Sequence, residues 1–252
     1  REISELSVDY RFLFELDPSH RGILVLHGGG QSHTAVLSPA QPRVEITLNE
    51  VSWRRQFTDY FVEGVWHIWS GIDHLLFLLA LLLPGVLIRE QRRWQPAPTL
   101  ASALWPILGV VTAFTVAHSI TLTLAALDIL RLNSRLVESC IAASVFLAAL
   151  NNLKPLATRR RWMVAFTFGL IHGFGFASAL SELGLPSGSR LLCLAAFNLG
   201  VESGQLVVVA AVMPVAFLLR GTRLYRSFVL PWGSLAVAAV AAVWFYQRAL
   251  GP

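Results

Sequence analysis

Four of the chain's seven histidines, His67, His74, His118 and His172, lie inside long apolar stretches. An ionisable side chain in such surroundings costs on the order of 3 kcal/mol or more unless it is paired or faces a cavity. Each therefore calls for a ligand, a relay partner or a satisfied place in the core. In Gly64-Val65-Trp66-His67-Ile68-Trp69-Ser70-Gly71-Ile72-Asp73-His74 the two histidines stand seven residues apart. On one continuous helix that spacing puts them within about 20° of the same azimuth, two turns apart. Gly71 falls between them and leaves room for an ion or a closely packed helix. Asp73 points elsewhere and is expected to orient an imidazole from a neighbouring helix, or to bind metal itself.

Three further stretches repeat the pattern. His118 stands among Thr112, Thr115, Ser119, Thr121 and Thr123, hydroxyls able to satisfy their own helix backbone. His172 is flanked by Gly169, Gly173 and Gly175, which let neighbouring backbones approach closely. Asn198, Glu202 and Gln205 are spaced i, i+4, i+7 and line one helical face. Glu138 admits three readings equally: a cap near Ser134, a water-facing carboxylate, or a member of the site. The set expected to bind metal is His67, Asp73, His74, His118, His172 and Glu202. Asn198, Gln205, Glu138, Ser70 and Ser119 are expected beside it or along a pathway.

The elements that must position these groups follow from composition. Of 252 residues 55% are hydrophobic and 14% charged, against about 25% charged in a soluble domain. From about residue 60 onward apolar runs recur at the roughly 20-residue length that crosses a bilayer. They fall near 60–88, 101–127, 134–153, 161–182, 190–219 and 224–248, predicting six transmembrane helices in an all-α polytopic domain over 57–252. Residues 1–56 alternate apolar and polar around Asp17-Pro18, Gly28-Gly29-Gly30 and Ser38-Pro39, with strand-like stretches at 10–14, 22–26 and 44–48. They read as a small β domain. The chain starts at Arg1 without Met, which predicts a processed leader.

The connections carry Arg89, Arg92, Arg93, Lys154, Arg159, Arg160, Arg161, Arg220, Arg223 and Arg226 on one side, and Arg131, Arg135, Arg190 and Arg248 on the other. The positive-inside rule makes the richer side cytoplasmic, with both termini and the β domain outside, at an inner (cell) membrane. The net charge of +5 is thus a topology signal, not one for nucleic acid. Tryptophans near segment ends read as interfacial anchors. Cys140 and Cys193, in apolar runs without CxxC spacing, predict neither a disulfide framework nor a zinc ribbon.

Counted inward from the outer ends, His67, His118, His172, Asn198 and Glu202 lie roughly 7 to 13 residues deep, or about 10–20 Å. Groups from four helices thus share a height, with Asp73 and His74 slightly deeper. Imidazoles with one or two carboxylates suit Ni²⁺, Co²⁺, Zn²⁺, Cu²⁺ or Fe²⁺ and argue against Mg²⁺ and Ca²⁺. In the β domain, His27 and His33 flank the glycine run, an arrangement open to metal capture or to a plain surface turn.

At these residues the sequence resembles the HupE/UreJ family of membrane proteins over most of 61–248. The motif is His67, Gly71, Asp73 and His74, with Ile171-His172-Gly173-Phe174 similar to the family's second His-Gly motif. Where the family has Pro after the first His this chain has Ile68, and Phe176 stands at the later motif's second His. The resemblance implies nickel- or cobalt-like uptake in a divergent branch with an added β domain.

The leading expectation is transport of a divalent transition metal through the His/Asp/Glu site. An intramembrane metal-dependent enzyme of the zinc-hydrolase type, or a metal-binding accessory or receptor subunit, are the alternatives. Expected partners are the lipid bilayer and the metal ion, with a homo-oligomer or an accessory protein docking through the β domain. The apolar character of the inner halves of the second, fourth and fifth segments favours the alternatives, since a transporter needs a polar exit.

Overall fold

The computed structural model describes residues 5–12, 14, 22–28, 31–39, 41–47, 53–90, 93–155, 160–175 and 189–251. The N-terminal region is β-rich, as expected. Strand β1 (Glu5–Asp9) pairs antiparallel with β4 (Arg43–Thr47), and β2 (Gly22–Gly28) pairs with β3 (Gln31–Leu37). In the first pair the register sets Leu6 opposite Ile46 and Val8 opposite Val44, with Ser7–Glu45 and Asp9–Arg43 on the other face. Period-2 alternation has become one apolar and one polar surface. At the polar end of the strand the Arg11 guanidinium holds the Asp9 carboxyl below its usual range. The strand expected at 10–14 lies earlier: β1 ends at Asp9 and the chain turns at Phe12. His27 and His33 sit on the β2–β3 hairpin, but their side chains lie outside the described residues, as do Gly29 and Gly30.

Helix α1 (Trp53–Ser70) begins ahead of residue 57, and α2 (Ile72–Leu82) follows after a single residue. A short antiparallel hairpin, β5 (Leu87–Glu90) with β6 (Arg93–Pro96), leads to α3 (Leu100–Ala126). Then come α4 (Ser134–Leu153), α5 (Arg161–Gly175) and α6 (Arg190–Leu219). A π-helical turn at Tyr225–Val229 opens α7 (Leu230–Ala249). Helix starts are marked by local chemistry. Thr99 and Ser102 form a reciprocal capping box on α3, and the Asn133 side chain accepts from the Leu136 N–H on α4.

Among the described residues four helical stretches are long and apolar enough to cross a membrane: Leu100–Ala126, Ser134–Leu153, Arg190–Leu219 and Tyr225–Ala249. The α1–α2 pair makes a fifth if its halves count as one span. The fourth expected span, 161–182, shows 15 helical residues in α5, about 22 Å of helix; residues 176–182 lie outside the described set. The expected first span is corrected. Instead of one straight helix over 60–88 the chain bends by 70° between α1 and α2, and its last residues form strand β5.

Helices pair by close backbone contact at glycines. A Cβ on Gly64 of α1 would stand 2.0 Å from the Phe197 carbonyl oxygen of α6, and one on Gly200 would stand 2.0 Å from the Phe61 carbonyl oxygen. On α5, a Cβ at Gly169 would meet the Phe114 carbonyl oxygen at 2.5 Å, and one at Gly173 the His118 carbonyl oxygen at 2.4 Å. In a bilayer, where apolar side chains gain nothing by leaving lipid, small residues four apart permit the contact that holds helices together. Gly200 meets Phe61 and Gly64 while Gly204 meets Val65 and Ile68, and Gly169 meets Phe114 and Ala117 while Gly173 meets His118 and Thr121, so α1 runs parallel to α6 and α3 to α5.

Helix α4 runs antiparallel to α7 and is fixed at both ends. Arg135 donates to the carbonyls of Arg248, Ala249 and Gly251 beyond the α7 terminus. At the other end Asn152 donates to the Ala80 carbonyl of α2 at 2.7 Å and to Ser234 Oγ of α7 at 3.1 Å. The Ala80 carbonyl faces Pro84 four residues on, which has no N–H to give it. Asn152 supplies the missing donor where water cannot.

The basic connections gather at one end. Arg220 Nε donates to the Ala97 carbonyl and Tyr225 Oη to the Leu83 carbonyl, each at 2.8 Å, while the Arg89 and Arg161 guanidiniums both lie over the Trp94 ring. Trp66, Trp69, Trp105, Trp162 and Trp232 are exposed on the bundle surface, where a bilayer would meet them.

Candidate metal centre

The bend at Gly71 builds the centre. Gly71 caps α2 with extended dihedrals (φ −76°, ψ 93°), and a Cβ there would meet the His67 carbonyl oxygen at 2.7 Å and His74 Nδ1 at 2.9 Å. On a straight helix His67 and His74 would be separated by about 10 Å along the axis. Bent by 70° at this point, the chain sets their ring centroids 4.6 Å apart.

The His118 ring stands 5.9 Å from both. His67, His74 and His118 each offer a ring nitrogen, all within 4.8 Å of one another. His172 completes the group on the other side of His74, with ring centroids 5.2 Å apart. Phe114 walls the cluster, packing on His74, His118 and His172, while Phe77 covers His172 and Phe197 covers His67. His118 and His172 are fully buried and His74 nearly so.

Hydrogen bonds orient two of the imidazoles. Asp73 Oδ1 accepts the His74 backbone N–H at 2.9 Å and lies 3.0 Å from His74 Nδ1. A carboxylate can only accept, so the ring proton is on Nδ1 and Nε2 carries a bare lone pair. Asp73 therefore serves its own sequence neighbour, not an imidazole from another helix. It occupies the first turn of α2, where negative charge is favoured. For His172 the partner is Ser144 of α4. Its Oγ lies 2.7 Å from the Ile141 carbonyl oxygen and 2.8 Å from His172 Nε2, so Nδ1 is the ring nitrogen left without a hydrogen-bond partner among the described residues.

His74 Nε2, both ring nitrogens of His118 and His172 Nδ1 are buried without hydrogen-bond partners among the described residues. Buried polar atoms are normally paired, and each unpaired one costs about 1–3 kcal/mol. Several in one place fit a ligand that accepts lone pairs.

The remaining expected residues fall into four groups. Asn198 of α6 donates to the Leu194 carbonyl, and its Oδ1 is buried beside His118 without hydrogen-bond geometry. Glu202 and Gln205 reach α3 below the histidines: Thr112 donates to Glu202 Oε1 at 3.0 Å, and buried Thr115 donates to Gln205 Oε1 at 2.8 Å. Glu202 is outside the three-histidine group. Ser70 and Ser119 donate to the carbonyls of Trp66 and Thr115 in their own helices. Glu138 accepts from Ser134 and pairs with Arg248 at 3.5 Å, at the bundle end and away from the histidines. Ser144 went unnoticed in the sequence, where a serine in an apolar helix is ordinary. Only the α4–α5 contact reveals it.

The family's sequence model, described as HupE / UreJ protein, matches residues 43–248. The chain belongs to the HupE/UreJ family. The match covers the whole helical bundle with the histidine cluster and takes in β4, beyond the 61–248 of the motif resemblance. No curated protein and no solved structure is detectably similar. This HupE/UreJ protein is a membrane protein of a family associated with metal transport, with a buried histidine cluster at its centre.

Proposed function

We propose that this HupE/UreJ protein carries a divalent transition metal ion across the membrane, taking it from the less basic end and releasing it at the basic end. The observation that carries the reading is the convergence of His67, His74 and His118 donors, with His74 oriented by Asp73. Nitrogen donors with one nearby carboxylate suit Ni²⁺, Co²⁺, Zn²⁺, Cu²⁺ or Fe²⁺, and the family favours the first two. His118 lies about 12 Å from the Ala126 end of α3 and His172 about 17 Å from the Arg161 end of α5. The site thus sits well inside the bundle, as an ion in transit requires.

Two polar pairs beyond the histidines, on the face the sequence assigns to the site or a pathway, support transport over static binding or catalysis. Thr115–Gln205 and Thr112–Glu202 continue from His118 toward the Leu100 end of α3, the last with a carboxylate.

Uptake of Ni²⁺ or Co²⁺ into proteoliposomes is the test. Asp73→Asn is expected to lower apparent metal affinity by about 10- to 100-fold, as loss of a carboxylate behind a ligand histidine does. Unchanged uptake by that variant would remove Asp73 from the site, and no uptake by the wild type would remove transport.

Ser144→Ala is expected to weaken metal binding about tenfold, measured by titration of the purified protein. The same change in a His172→Ala background should cost nothing further, because Ser144 acts through that ring. Additive losses would mean that Ser144 supports packing alone.

A further inference from the structure

Away from the histidines, α2, α4 and α5 enclose a cavity of about 430 Å³ at the basic end of the bundle. Its wall is apolar, with Leu81, Leu150, Leu153 and Phe168 among its lining residues, and Lys154 and Arg161 stand at its edge. Arg161 is only part-exposed. Its guanidinium lies over Trp94 at 5.8 Å, and among the described residues no carboxylate stands within ion-pair distance of it. A partly buried cation without a counter-ion is an incomplete pairing, since charge removed from water is normally matched by its opposite.

The chain offers little to match it. The connections at this end carry ten cations, Arg89, Arg92, Arg93, Lys154, Arg159, Arg160, Arg161, Arg220, Arg223 and Arg226, against the single carboxylate of Glu90. A ligand that answers both features has an anionic head and an apolar tail, and it approaches from the bilayer.

We propose that this cavity holds an anionic phospholipid, its acyl chain against Leu81, Leu150, Leu153 and Phe168 and its phosphate between Lys154 and Arg161. Lipids of this charge are recognised at basic pockets between transmembrane helices, and each cation contributes about fivefold to the preference. A zwitterionic lipid fills the apolar wall equally well but leaves Arg161 with a partner that carries its own positive charge. The bound lipid would tie the facing ends of α4 and α5 to α2. It acts apart from the metal ligands, so its presence does not depend on the transport reading.

Native mass spectrometry of the full-length chain in detergent, with dioleoyl phosphatidylglycerol and dioleoyl phosphatidylcholine offered together, tests the assignment. Retention of one phosphatidylglycerol in preference to phosphatidylcholine is expected. Lys154→Gln with Arg161→Gln should weaken that binding about 25-fold, and Leu150→Trp, which fills the cavity, should weaken it with both cations intact. Equal retention of the two lipids by the wild type overturns the proposal whatever the variants do. So does displacement of the lipid by millimolar glycerol phosphate, which would mark a site for soluble phosphate instead.

Discussion

His74→Ala is expected to reduce metal affinity more than any other single replacement, by more than about 100-fold, read by titration with Ni²⁺ or Co²⁺ and by metal analysis of the purified protein. His74 is the hub of the cluster. Its ring lies within 6 Å of those of His67, His118 and His172, and it is the one whose donor nitrogen Asp73 orients directly. Removing it takes away one ligand and leaves Asp73 a part-buried carboxylate without its imidazole. The bundle itself should survive, because the contacts that hold α1 to α6 and α3 to α5 are elsewhere. Unaltered secondary structure and elution volume, with binding lost, is the expected pattern. Binding within a few-fold of wild type would place the ion away from this cluster.

The second large effect is structural. Gly64→Val and Gly200→Val are each expected to destabilise the protein by about 3 kcal/mol or more, at the upper end of overpacking costs, and to lower the yield of folded protein. The added Cβ at either position would stand 2.0 Å from a backbone carbonyl oxygen of the facing helix. Backbone cannot rotate away as a flexible side chain can, so α1 and α6 must separate. That separation moves His67, three residues beyond Gly64, from His118, and metal binding should fall with stability. Gly109, whose Cβ would meet nothing within 4 Å, is the control: Gly109→Ala should leave thermal stability in detergent unchanged or slightly raised. Equal behaviour of Gly64 and Gly109 variants would mean the helices do not meet as described.

The two substitutions separate two layers of design. Glycine contacts decide where the helices stand. The side chains decide what is held between them.

What the sequence determined by itself was the medium and the chemistry. Apolar length and sparse charge dictate a membrane bundle, since no water-soluble fold can bury so much, and the bounds of α4 and α6 coincide with the expected 134–153 and 190–219. Imidazoles in an apolar chain dictate a site, and the motif from His67 to His74 carries the family resemblance. What only the tertiary structure decided was how those groups meet. Helical periodicity assumes a straight axis, so it set His67 and His74 two turns apart, whereas the 70° bend at Gly71 brings their rings into contact. Residue spacing along one helix carries no information on partners from another. For that reason Asp73 turned to its own neighbour, Glu202 and Gln205 turned to the threonines of α3, and Ser144, invisible as a motif, met the His172 ring.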